Sequence, residues 1–198
     1  MPLTPAQLVT LKTNIVANAT PIPAAQPWSG TFAGTAINAL PNNDDANTAI
    51  AGWYNMLTVA FQVYRNNIPI QEIEDKITYS ALTPTDTADA SLAWQNRAMS
   101  CQGKQFNLHL LTQGKDVVDA TKVNWRAGMQ DALTNVPSGV SGATVSAGWV
   151  PVRDSLYALA TNAEQLYATG TGSTASPATR AVYGNISTQD VSSARNLP

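Results

Sequence analysis

The chain of 198 residues carries a net charge of −2, with 12% charged and 44% hydrophobic side chains. That charged share is about half of what a typical globular domain carries, so Asn, Gln, Ser and Thr must cover the surface, or other subunits must. Eleven Lys and Arg, scattered singly, lack the basic block of a dedicated nucleic-acid binder, and a lone cysteine, Cys101, excludes an intramolecular disulfide framework and a multi-cysteine zinc site.

In chain order, Thr4-Pro5-Ala6-Gln7 is the first helix start. Threonine suits the N-cap, proline the first helical position, and Gln7 completes a capping box. Leu8, Leu11 and Ile15 at helical spacing predict a helix from about Pro5 to Asn18. Residues 19–43 break the pattern with Pro21, Pro23, Pro27 and Pro41, and read as an extended arm or loop anchored by Trp28 and Phe32. Asp44 and Asp45 favour the positive end of the next helix dipole. Ala46, Ala49, Ile50, Trp53, Leu57, Ala60, Phe61 and Tyr64 then predict one continuous helical face, interrupted by Pro69, with a further turn or two over Ile70, Ile73 and Ile77.

Thr83-Pro84-Thr85-Asp86 repeats the capping signal. Leu92, Asn96, Met99, Gly103, Phe106 and Leu110 follow as a heptad-like stripe, while Trp94, Ala98, Cys101, Gln105 and Leu108 populate another face. A helix apolar or small on two sides is expected between layers or at a subunit contact, which makes this the central helix, ending near Gly114. Lys115 to Val136 reads as one or two helices. Residues 137–150 form a flexible connection or a small hairpin. Val152, Leu156, Leu159, Ala163 and Leu166 step 4-3-4-3 and predict a single last core helix. Residues 169–198 then hold a glycine-rich loop and a tail with a short helix capped by Ser187 and Asp190. The expected fold is mainly α: one domain over 1–198, a bundle of about four to five helices with long Pro/Gly-rich arms or loops and room for one small β-hairpin.

Catalytic chemistry has little to draw on. Cys101 and His109, eight residues apart on one helix, stand about 12 Å apart along the axis, too far for a thiol–imidazole pair. Asp44-Asp45 reads as helix-start chemistry, and Glu72-Glu74-Asp75 as a solvated face with Glu72 paired to Lys76, so no metal site is expected. Gly170 to Ala175 imitates a phosphate loop, but a helix precedes it, a proline follows, and the Walker lysine is missing. No catalytic, cofactor-binding or metal-ligating residue is therefore assigned. The loop reads as a hinge that lets the tail reach a neighbour, with Trp28, Phe32, Thr171, Gly172, Ser187, Asp190 and Val191 as candidate partner contacts. No apolar run approaches the ~18 residues of a membrane span, and the N-terminus lacks a charged-then-apolar leader, so a soluble protein made in the cytoplasm is expected.

Ala163-Glu164, Ala168 to Gly172, Pro177-Ala178, Gly184 and Ser187 to Val191 carry a resemblance, joined upstream by Leu3 to Leu8, Ile50-Ala51, Tyr54-Asn55 and Phe61 to Arg65. Over about half its length the chain resembles small virion-associated proteins of tailed bacteriophages, with Tyr183 standing where an acidic residue is expected. The resemblance implies a structural subunit of the head–tail connector or neck, an adaptor assembled as a homo-oligomeric ring under the portal. Portal and tail or neck proteins would be its partners and DNA only a passing cargo. It would have no membrane partner, and it would reside in the virion after synthesis in the bacterial host. Another virion structural protein, such as a capsid decoration or tail component, is the alternative. A small enzyme or ligand binder built around His109 with Glu164 or Asp154 comes third.

Overall fold

The computed structural model describes residues 2–24, 26–83, 94–138 and 142–198, with backbone alone for 94–97. In chain order its elements are α1 (Pro5–Ala17), α2 (Asp44–Tyr54), β1 (Leu57–Tyr64), β2 (Ile68–Pro69), α3 (Ile70–Glu74), α4 (Tyr79–Leu82), α5 (Trp94–Thr112) and β3 (Val117–Val118). There follow α6 (Val123–Leu133), β4 (Val136–Pro137), β5 (Thr144–Val145), α7 (Trp149–Ser155), β6 (Tyr157–Thr161), α8 (Asn162–Tyr167) and α9 (Thr188–Arg195). The described residues are mostly helical, with three two-stranded sheets pairing β1 with β6, β2 with β3 and β4 with β5. The expected bundle of four to five helices is thus corrected to a mixed helix-and-strand architecture.

Two corrections have physical causes. The face expected to run as helix from Ala46 to Tyr64 stops at Tyr54, and residues 57–64 form β1. Leu-Thr-Val-Ala-Phe-Gln-Val-Tyr is rich in β-branched and aromatic side chains, which lose rotamer freedom in a helix and fit a pleated surface. The last core helix expected over Val152 to Leu166 is likewise divided into α7, β6 and α8. A second helix start lies inside it: Thr161 Oγ1 accepts from the Glu164 N–H (3.1 Å), and the Glu164 carboxylate accepts from the Thr161 N–H (3.0 Å). A residue that caps a helix has extended backbone, so no helix can pass through Thr161.

Other local expectations hold. Thr4 and Gln7 form the capping box of α1, and Ser187 and Asp190 that of α9. Gly114 follows α5 at φ +68°, a left-handed conformation that glycine adopts without penalty. The hairpin option for the 137–150 segment is realised with one residue added at its start: β4 and β5 pair antiparallel, Val136 opposite Val145 and Pro137 opposite Thr144. Pro84 to Asp86 of the second capping signal and Leu92 of the heptad stripe lie outside the described residues, as do residues 139–141 of the 137–150 segment.

The chain divides into two compact units, one made of Met1–Val63 with Leu159–Pro198 and the other of Tyr64–Ala158. In the first, α9 packs on both α1 and α2, and Leu11, Ile15, Ile37, Ile50, Tyr54, Val191 and Ala194 share one core. Segment 19–43 contributes Ile22, Ile37 and Leu40 to that core. Polar ties hold the C-terminal segment down. Arg195 donates to the carbonyls of Leu40 (2.6 Å) and Pro41 (2.8 Å) and to the buried Asn47 side chain (2.9 Å). Asn55 exchanges two hydrogen bonds with the Ile186 backbone. A small satellite core joins Val63, Ala160 and Ala178.

In the second unit, α5 lies against α6, and Ile68, Ile73, Leu82, Met129, Leu133, Val152 and Leu156 fill the centre. Arg65 ties its start to its end: the guanidinium grips Glu72 with two bonds (2.6 and 2.9 Å) and donates to the Ser155 carbonyl (2.8 Å). Glu72 therefore pairs chiefly with Arg65; Lys76 Nζ is 3.8 Å away. Gly148, at φ +96°, turns so close to the Lys76 carbonyl that a Cβ would collide with it.

Candidate functional site: the outward seam of α5

The two faces of α5 have different fates. Ala98, Cys101 and Leu108 are buried in the core of the second unit, and Gln105 Nε2 donates to the Leu82 carbonyl at 2.9 Å. At 100° per residue the heptad stripe lies on nearly the opposite side. Its described large side chains face solvent: Met99 is 69% exposed, Phe106 60% and Leu110 55%. Gly103 stands between them with open space where a Cβ would be. The seam is flanked by Ser100, Gln102, Asn107 and His109, all exposed and none of them a fixed charge. Three large apolar side chains in heptad register face solvent together, a kind of exposed apolar surface that often serves in contacts between chains.

The candidate partner contacts fall in three places, all in the first unit. Trp28 and Phe32 are half-buried against its core, and the Trp28 ring occupies the space a Cβ on Gly52 would need. Thr171 Oγ1 donates to the Ser176 carbonyl (3.0 Å), and the carbonyl of the buried Gly172 accepts from the Gln62 N–H (2.6 Å). The loop is closed at its base by reciprocal bonds between Thr169 and Thr179 and docked on β1 by Ala178 N–H to the Gln62 carbonyl (2.9 Å). Ser187 and Asp190 cap α9, Asp190 also accepts from the Leu3 N–H (3.2 Å), and Val191 is fully buried. Burial alone would raise the Asp190 carboxyl; the bonds from Ser187 and Leu3 outweigh it and hold the group below the usual carboxylate range.

The residues weighed for catalysis are differently engaged. Glu164 is buried, capping α8 and receiving Arg180 Nη1 at 2.8 Å. Asp154 accepts from Arg153 and from the Tyr157 hydroxyl (2.9 Å), and the Arg153 bond first of all holds its carboxyl low. Cys101 is buried and His109 exposed. His109 borders a cleft of about 410 Å³ with Glu74 and Tyr79, but no hydrogen bond joins it to either among the described residues. Burial, then the charges of Glu74 and Asp75, pushes the Tyr79 hydroxyl up. Among the described residues no group of three or more His, Cys, Asp or Glu is placed to hold a metal ion, and no helix is long and apolar enough to cross a membrane.

Sequence reasoning drew the α5 stripe but not its direction, because both faces are apolar or small. No family model, curated protein or solved structure matches the chain.

Proposed function

We propose that the chain is a structural subunit of a tailed phage particle, forming a ring at the head–tail connector or neck through protein–protein contacts. The observation that carries this reading is the exposed heptad seam of α5, Met99, Phe106 and Leu110, on a chain with few charges. The resemblance at Ala163-Glu164, Ala168 to Gly172 and Ser187 to Val191 supplies the phage context. A seam of three large side chains falls short of the ~1,200 Å² that a stable pairwise interface buries. Closed cyclic assembly multiplies such a contact around a ring, and that geometry suits a weak seam better than an isolated dimer does.

Native mass spectrometry and electron microscopy of the purified chain test the reading, together with mass spectrometry of purified virions from a phage encoding it. A ring, with the chain present in virions, is expected. A monodisperse monomer across the concentration range, with no trace in particles, would overturn it. A position at the capsid surface or along the tail would keep the structural role and move its place.

A further inference from the structure

The first unit holds an open cleft of about 790 Å³, within the range of small-molecule sites. Three segments converge on it: the end of α1 with the turn behind it (Asn14 to Pro21), the end of α2 (Trp53, Tyr54) and α8 (Asn162, Gln165). None of the lining side chains is charged. An ionised ligand would lose hydration there without gaining a counter-charge, so the cleft selects for neutral ligands.

Two of its amides are held in fixed orientations. Tyr54 donates its hydroxyl to Asn14 Oδ1 at 2.6 Å, which leaves Asn14 Nδ2 as a donor. Asn162 Nδ2 donates to the Trp53 carbonyl at 2.8 Å, which leaves Asn162 Oδ1 as an acceptor. Gln165 is exposed and offers both. The Trp53 indole is held edge-to-face on Tyr54, ring centroids 4.9 Å apart at 86°, and is only half-buried. Donor, acceptor and dual group beside a flat aromatic ring match a molecule whose hydroxyls both donate and accept and whose ring presents C–H groups to the indole's electron-rich face.

We propose that the cleft between α1, α2 and α8 binds a neutral oligosaccharide, with Trp53 stacking on a pyranose ring and Asn14, Asn162 and Gln165 bonding its hydroxyls. An extended peptide would call for a row of backbone donors and acceptors, whereas these groups are side-chain amides. A nucleotide would bring a phosphate that nothing in the lining neutralises. Amides already locked by Tyr54 and Trp53 lose little freedom on binding, which lowers the cost of recognition. The lining shares no residue with the α5 seam.

The test is an NMR titration of the full-length chain with chitotriose, maltotriose and cellotriose, with adenosine as the competing neutral chemistry. The expected result is saturable shifts of the Trp53 indole and of the Asn14 and Asn162 side-chain amides with at least one of the sugars. Gln165→Ala, at an exposed position, leaves the spectrum otherwise unchanged and weakens that binding about fivefold, the loss of one hydrogen-bonded pair. Shifts with adenosine and none with the sugars would overturn the proposal. So would silence from all four probes, or sugar binding that Gln165→Ala leaves unaltered.

Discussion

Arg180 Nη1 stands 2.8 Å from Glu164 Oε1, with both side chains largely withdrawn from solvent and Arg180 Nε without a hydrogen-bond partner. The pair joins α8 to the strand-like segment after the glycine-rich loop, and the same carboxylate caps α8 through the Thr161 N–H. Removing one member leaves a charge buried without its counter-ion, which costs about 3–5 kcal/mol. Glu164→Ala should therefore lower the urea midpoint strongly, and Arg180→Met less, because it leaves the cap in place. A double-mutant cycle in denaturant checks both, with a coupling energy well above zero as the expected outcome.

Acid and alkali should act on different groups. Arg65 first of all holds the Glu72 carboxyl low, and the bonds to Asp190 hold that group low despite its burial. A carboxyl with a depressed folded pKa contributes stability above its unfolded value, near pH 4, and loses that contribution as pH falls through the folded value. At the other end, burial raises the hydroxyls of Tyr54 and Tyr167, the latter to about 12. The folded state keeps protons that the unfolded chain releases near pH 10, so stability is flat below that point and falls as pH climbs from 10 toward 12. Thermal melts from pH 2 to 12 should show a broad plateau with decline on both sides.

The α5 seam makes a sharp separation possible. Phe106→Asp changes a side chain already 60% exposed, so unfolding free energy should move by no more than about 0.5 kcal/mol. The same change places a charge in the middle of the seam and should shift the assembled species to monomer in sedimentation or native mass spectrometry. Cys101→Asp, on the buried face of the same helix, should instead unfold the second unit.

Gly172 is buried at φ +66° with the Phe61 ring where a Cβ would stand. Gly172→Val should cost about 1–3 kcal/mol through left-handed strain and overpacking, and should release the loop from β1. Hydrogen exchange at the Gln62 amide, bonded to the Gly172 carbonyl, reports that release directly. Unchanged protection there would mean that the substituted loop keeps its bond to β1 and that the release does not occur.

Local signals were the most legible part of the sequence. Thr4 with Gln7 and Ser187 with Asp190 announce their helices because capping chemistry needs only four neighbouring residues. The pair Thr161 and Glu164 carries the same signal but lies inside the 4-3-4-3 pattern of Val152 to Leu166. That periodicity masks two short helices and a strand whose inward residues fall at helical intervals. Residues 57–64 look helical for a similar reason, since Leu57, Phe61 and Tyr64 continue the spacing of α2 although their neighbours favour a strand. On α5 the stripe was readable and its direction was not. The core took the face of Ala98, Cys101 and Leu108, and α5 packs closely on α6, where a Cβ on Gly128 would stand 3.2 Å from Leu111. The amide cleft has no local signature: Asn14, Trp53 and Asn162 come from three distant segments and meet only when the chain is folded.

The first unit takes its first 63 residues from one side of the second unit in the chain and its last 40 from the other. On a ribosome adding about 5–20 residues per second, Leu11 and Ile50 wait on the order of ten seconds or more before Val191 and Ala194 exist to cover them. The second unit, continuous from 64 to 158, is under no such delay. A nascent chain therefore carries the 1–63 part of the first unit as unfinished apolar surface until α9 has been made. Early self-association, or shelter by a chaperone, is decided in that interval rather than by the stability of the finished fold.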